Sequence, residues 1–165
     1  MSSCDPGSDD AAVAEDGSEI SLFNRGIRSL KEIRIHARPM ESFTTVRSLS
    51  LHFNNIKRIQ NLESLVFLRH LDLSSNEIEC IEGLESLVNL CTLNLASNRI
   101  AVVQGLRSLR HLSSLNVSNN RIHSLGGLRD LWGDSHALVS LDLHGNAVSN
   151  LEELGTEEFG VNMCW

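Results

Sequence analysis

Hydrophobic and polar positions along this chain recur in a frame of 22 residues, far longer than the period of one helix or strand. Asn54, Asn76, Asn98, Asn120 and Asn146 are separated by 22, 22, 22 and 26 residues. Each has Leu five residues before it, Leu or Val three before, Ile or Val two after, and Ile, Val or Leu five after. A further Leu stands eight after every Asn (Leu62, Leu84, Leu106, Leu128, Leu154) and eleven after the first four (Leu65, Leu87, Leu109, Leu131). The Leu-x-Leu alternation predicts a short strand with two leucines facing inward and the residue between them facing out. The Asn is expected to turn inward at the bend that follows. Its amide both donates and accepts, so it can pair backbone groups that the bend would bury unsatisfied. A short 3₁₀ or helical return segment then completes the coil. No single coil buries its own leucines, so stability comes from stacking coils on one another.

Gly83, Gly105 and Gly127 recur seven residues after the Asn, which predicts a backbone position that is crowded or needs positive φ. At the start, Ile20, Leu22, Ile27, Leu30 and Ile33 fall into register if Arg25 takes the Asn position, so this stretch reads as a degenerate first coil. WGDSHA (Trp132 to Ala137) delays the fifth repeat by four residues and should bulge from the convex side or an edge. After Leu154 the sequence GTEEFGVNMCW does not restate the frame, so a C-terminal cap is expected to be missing and the last strand uncovered. The resulting division is an acidic, disordered segment 1–19, a repeat domain 20–154 (cap 20–45, repeats 46–154) and a short non-repeat tail 155–165.

Composition agrees with a leucine core. The hydrophobic fraction is 41%, yet aromatic residues make up 4% and Tyr is absent. The net charge of −7 belongs to the ends: residues 1–19 hold six acids and no base, whereas residues 20–150 hold 14 basic and 11 acidic side chains. An acidic N-terminus is unlike a signal peptide, and no run of about 18 apolar residues suggests a membrane span. The four cysteines show no CxxC or Cys/His ligand spacing and read as free thiols in a reducing compartment, cytosol or nucleus.

The segments LHFNNIKRI, HLDLSSNEIECIEGL, LCTLNLASNRI, LNVSNNRIHSLGGL and the extended last repeat ending LVSLDLHGN carry a family resemblance. The chain resembles the 22-residue class of leucine-rich repeats found in protein phosphatase 1 regulatory subunits, spliceosomal U2 A-prime proteins and ciliary or centrosomal scaffolds. Within that class, roughly residues 20–151 are most similar to the N-terminal repeat domain of centrosomal leucine-rich repeat and coiled-coil proteins. That resemblance implies an α/β solenoid with a parallel β-sheet on its concave face, made of an N-terminal half-coil cap plus five repeats. It also implies a cytoplasmic scaffold or adaptor at the centrosome or centriole, with the nucleus as a further compartment. The coiled coil of those proteins is absent from this sequence and the tail from Gly155 matches none of their motifs. A fragment or short isoform would explain both departures.

Outward strand positions form three columns, at six, four and two before each Asn. They read Ser48, His70, Thr92, Ser114, Ser140; Ser50, Asp72, Asn94, Asn116, Asp142; and His52, Ser74, Ala96, Ser118, His144. Ser48, His70 and Asp72 invite a catalytic-triad reading, but a flat strand face offers neither oxyanion hole nor water exclusion, so no enzyme activity is expected. No cofactor is expected, and no metal site, because His52 and His144 lie at opposite ends of the stack. The columns contain no Lys or Arg, which argues against direct nucleic-acid binding. The expected function is capture of a protein partner on the concave face by Ser50, His52, Phe53, His70, Asp72, Asn94, Asn116, Asp142 and His144. Asn54, Asn76, Asn98, Asn120 and Asn146 are expected to serve as a structural ladder. Self-association through an uncovered C-terminal edge is a further expectation. Regulation of a phosphatase is the nearest rival function, weakened by Phe53 being the only aromatic residue near that face; an RNA-particle assembly factor is a more distant one.

Overall fold

The computed structural model describes residues 12–14, 17–35, 38–39, 45–131, 137–149 and 162–164. Among the described residues the main sheet has eight strands. Three-residue parallel strands run in chain order: β2 (Glu19–Ser21), β5 (Ser48–Ser50), β6 (His70–Asp72), β7 (Thr92–Asn94), β8 (Ser114–Asn116), β9 (Ser140–Asp142) and β10 (Asn162–Cys164). The register sets Ile20, Leu49, Leu71, Leu93, Leu115 and Leu141 side by side, so the repeat frame and the hydrogen-bonded ladder are the same object. The three central coils keep one length, the first and last coils take up their extra residues outside the strands, and the leucines still stack into continuous inward columns.

Leu51, Leu73, Leu95, Val117 and Leu143 form the second inward column and are buried, as are the aliphatic residues two, five, eight and eleven after each of the first four ladder Asn residues. On the return side the leucines are spaced by three: Leu62, Leu65, Leu68, then Leu84, Leu87, Leu90, then Leu106, Leu109, Leu112. That spacing suits 3₁₀ geometry, in which residues three apart lie on one face. The N–H of Leu65 donates to the carbonyl of Leu62 and that of Leu68 to Leu65, at 2.9 and 3.0 Å, and the next two coils repeat the pattern. Continuous 3₁₀ helices occur at Leu30–Glu32, where the Ser29 hydroxyl accepts from the Lys31 N–H, and at Gly126–Leu131. No α-helix occurs among the described residues.

Both ends of the sheet differ from the sequence expectation. At the N-terminal end, β1 (Ala12–Val13) pairs antiparallel with β2, so part of the segment expected to be disordered covers the sheet edge instead. Covering matters because an open edge offers unpaired N–H and C=O groups to any other strand. A small side sheet, β3 (Arg34–Ile35) with β4 (Arg38–Pro39), follows the first coil. At the C-terminal end the fifth repeat's strand is not uncovered: β10 pairs with β9, and the Leu143 N–H donates to Cys164 O at 2.8 Å. Three-residue strand pairing needs only backbone groups, so a tail without the leucine frame can still supply it. The expected bulge at 132–137 falls almost wholly outside the described residues, as do Leu151 and Leu154.

Candidate functional site

A strand of three residues needs something to end it, and the middle outward column supplies this. The side-chain Oδ1 atoms of Asp72, Asn94, Asn116 and Asp142 accept from the backbone N–H two residues later, at 2.9 to 3.1 Å. This local bond offers the backbone an alternative to continuing the ladder. The candidate binding residues Asp72, Asn94, Asn116 and Asp142 therefore also shape the coil that carries them.

The Asn ladder closes the bend behind them. Asn98 Oδ1 accepts from Ile78 N–H at 2.9 Å. Its Nδ2 donates to Leu73 O and Leu95 O, both at 3.0 Å, and to Ala96 O at 3.2 Å. Asn54, Asn76, Asn120 and Asn146 repeat the arrangement, each accepting from an N–H of the coil before it at 3.0 Å. In the first coil Arg25 occupies the ladder position but is exposed, and Asn54 takes the backbone N–H groups of both Arg25 and Ile27. The residue before the ladder position has positive φ in every coil: Asn24, Phe53, Ser75, Ser97, Asn119 and Gly145. Sequence periodicity does not show this column, because Asn, Phe, Ser and Gly share no hydropathy.

The third outward column is less open than its position suggests. Ser74 and Ser118 are buried, their hydroxyls folded back onto Asp72 Oδ1 at 2.5 Å and Asn116 Oδ1 at 2.7 Å. Asp72 only accepts, so the Ser74 hydroxyl donates to it and the Ser74 oxygen accepts from Nδ1–H of His52 at 2.7 Å. Hydrogen bonds thus run from His52 through Ser74 to Asp72, with the serine proton committed to the carboxylate. His70 does not join a triad with Ser48; its Nδ1 meets the Thr92 hydroxyl at 2.8 Å. At the far end Asp142 and His144 meet at 3.2 Å. Ser48, Ser50, His70, Asp72, Thr92 and Asn94 line a shallow depression of about 360 Å³ on the concave sheet.

Phe53 has company that the repeat columns did not include. Phe23, from the cap coil, stacks on His52 with ring centroids 5.4 Å apart and lies 6.0 Å from Phe53; His52 and Phe53 are 6.1 Å apart. Both phenyl rings are more than half exposed, 54% and 55%. The signal was available: Phe23 stands two before Arg25, in the column of His52, once the cap coil is counted among the strands. Glu19 of β2 likewise extends the first column beside Ser48.

The remaining charge sits elsewhere. Arg99 pairs with Glu77 at 3.0 Å and Arg58 with Glu82 at 3.0 Å, beyond the Asn ladder. The hydrogen bond and charge of Glu82 raise the Arg58 pKa above its ordinary value. A larger depression, about 550 Å³, lies between two return segments and is bordered by Glu85, Val88, Gly105, Arg107, Arg110 and His111. Cys80, Cys91 and Cys164 are free thiols. Among the described residues no three His, Cys, Asp or Glu side chains converge on a metal-sized site, and no helix is long and apolar enough to cross a membrane.

Comparison with solved structures finds the same architecture. Internalin C2 of Listeria monocytogenes is similar at a TM-score of 0.62 and 20% identity, over 89% of this chain and 78% of that one. The functional domain of InlJ from the same organism, described as including a cysteine ladder, is similar at 0.63 and 16%, over 88% of this chain and 29% of that one. TLR13, solved in complex with ssRNA13, is similar at 0.68 and 21%, over 84% of this chain and 23% of that one. The chain thus spans less than a third of the latter two. No curated relative matches the sequence. The family described as Leucine Rich repeats (2 copies) matches residues 44–86 and 88–130, together just over half of the chain. This chain belongs to the leucine-rich repeat family.

Proposed function

We propose that this chain is a non-enzymatic protein-interaction module, a scaffold or adaptor that captures a protein partner on its concave sheet. The observation that carries the reading is the division of labour within each strand. Inward positions hold almost only leucine, while the outward first and middle columns change from Glu19 through Ser48, His70 and Thr92, and from Ser50 through Asp72 to Asn94. A constant scaffold carrying changeable side chains is what a recognition surface requires. Placement at the centrosome or centriole rests on the resemblance of the repeat segments alone.

Partner capture from cell extract by the immobilised chain tests the face. Asp72→Arg combined with Asp142→Arg should abolish capture by like-charge repulsion of a basic partner. Asp72→Asn is the structural control, since an amide oxygen can still accept from Ser74. Glu63→Arg with Glu79→Arg changes charge equally on exposed positions off this face; Glu77 is unsuitable because it pairs with Arg99. Loss of capture in the Glu63/Glu79 pair, with none in the Asp72/Asp142 pair, would assign the interaction to the return side. Phosphatase regulation stands as the second reading, favoured by the second exposed phenyl ring: Phe23 with Phe53 supplies the aromatic anchor that Phe53 alone lacks.

A further inference from the structure

Phe53 has a backbone conformation that its neighbours in the column explain poorly. Its φ is +58°, the left-handed region, where the equivalent positions hold Asn24, Ser75, Ser97, Asn119 and Gly145. Small polar residues and glycine tolerate that region, whereas a bulky residue there is strained. Folding gains little in return, because the ring is 55% exposed. The same holds for Phe23, which is 54% exposed and meets the rings of His52 and Phe53. An exposed aromatic pair, one member on a strained backbone, is better explained by a ligand than by the core.

The chemistry around the pair selects the ligand. Along the concave columns the described acids are Glu19, Asp72 and Asp142, and there is no Lys or Arg. Asp142 is met by His144, but Asp72 is met only by a hydroxyl and a backbone N–H. Asp72 therefore has no cation paired to it among the described residues. Phosphate-bearing ligands are repelled by such a face. A planar cation that stacks on aromatic rings and hydrogen-bonds a carboxylate is favoured; arginine does both with one flat, forked group, whereas the lysine ammonium has no planar face to stack.

We propose that Phe23, His52 and Phe53 anchor an arginine side chain of an extended basic peptide segment, with Asp72, joined to the cluster through Ser74, as its counter-charge. The inference rests on the concave face being the interaction surface and names the partner chemistry for its first two coils. Fluorescence anisotropy of the full chain tests it with three labelled dodecapeptides, alternating Gly with Arg, with Lys or with Glu. The Arg–Gly peptide should bind several-fold more tightly than the Lys–Gly peptide, and the Glu–Gly peptide should not bind. Phe53→Asn, Phe23→Asn and Asp72→Asn should each weaken Arg–Gly binding by about tenfold, the scale of an interface anchor. Phe53→Asn places in the slot a residue already found there in two other coils, so its melting temperature should be unchanged or higher.

Equal affinities for Arg–Gly and Lys–Gly, or an Arg–Gly affinity indifferent to Phe53→Asn, would overturn the anchor. A melting temperature lowered by several degrees in Phe53→Asn would do the same, by making the ring a packing residue. Failure here is separable from failure of the interaction-surface reading. Should Asp72→Arg with Asp142→Arg abolish capture from extract while the phenylalanine variants leave peptide binding intact, the anchor falls and the concave face stands. Should the Glu63/Glu79 pair alone disrupt capture, both fall.

Discussion

Asn98 and Ile78 belong to different coils, yet the Asn98 amide oxygen takes the Ile78 backbone N–H at 2.9 Å while its amide nitrogen serves three carbonyls. Each ladder asparagine is thus a clamp between coils as well as the filler of its own bend. Asn98→Leu leaves one N–H and three carbonyls without that partner in a site only 8% exposed. The expected loss is about 1–3 kcal/mol in chemical denaturation. Asn98→Asp keeps the acceptor for Ile78 but turns a second oxygen toward the carbonyls, and should lose at least as much. Wild-type stability in either variant would refute the clamp.

Two adjacent glycines should behave oppositely. A Cβ at Gly127 would lie 1.8 Å from Val103 O, a backbone atom that cannot swing aside, whereas at Gly126 the nearest atom is Ser124 Oγ at 3.8 Å. Gly127→Ala should therefore destabilise by about 1–3 kcal/mol, the range for overpacking. Gly126→Ala should be neutral or stabilise by up to about 1 kcal/mol through the unfolded chain. Thermal denaturation of the two variants, measured side by side, checks the crowding directly.

The left-handed column makes a separate prediction. Ser97 has φ of +56° beside the central ladder asparagine. Ser97→Val introduces a β-branched side chain into that region and should cost about 1–2 kcal/mol, whereas Ser97→Gly should cost nothing or stabilise. A valine variant as stable as wild type would show that the turn relaxes without loss.

At the C-terminal end, the Leu143 amide donates to Cys164 O and the Asn162 amide to Val139 O. Asn162→Pro removes the second donor and should loosen β10. Native-state hydrogen exchange at Leu143 should then accelerate while Leu93, in the middle of the stack, stays slow. Fast exchange at Leu143 in the wild-type chain would mean that β10 does not protect β9. Sedimentation of the same variant addresses association: if β10 covers the edge, exposing β9 should raise the apparent mass.

Periodicity alone determined the repeat frame, the inward leucines and the position of every ladder asparagine, because each coil solves the same local problem with the same residue types. It also located Gly83, Gly105 and Gly127, where crowding from the coil before excludes a side chain: at Gly83 an added Cβ would stand 2.4 Å from Ile59 O. What depended on neighbours 22 or more residues away needed the tertiary structure. That Asn54 serves the Arg25 coil, that Ser74 takes the His52 ring and that His70 turns to Thr92 are all choices made between coils. Phe23 joined Phe53 because strand register, not sequence proximity, sets side-chain neighbours across a parallel sheet. The two covering strands were hidden for the same reason. Edge pairing through backbone groups asks little of side chains, so Ala12–Val13 and Asn162–Cys164 carry no pattern from which their partners can be read.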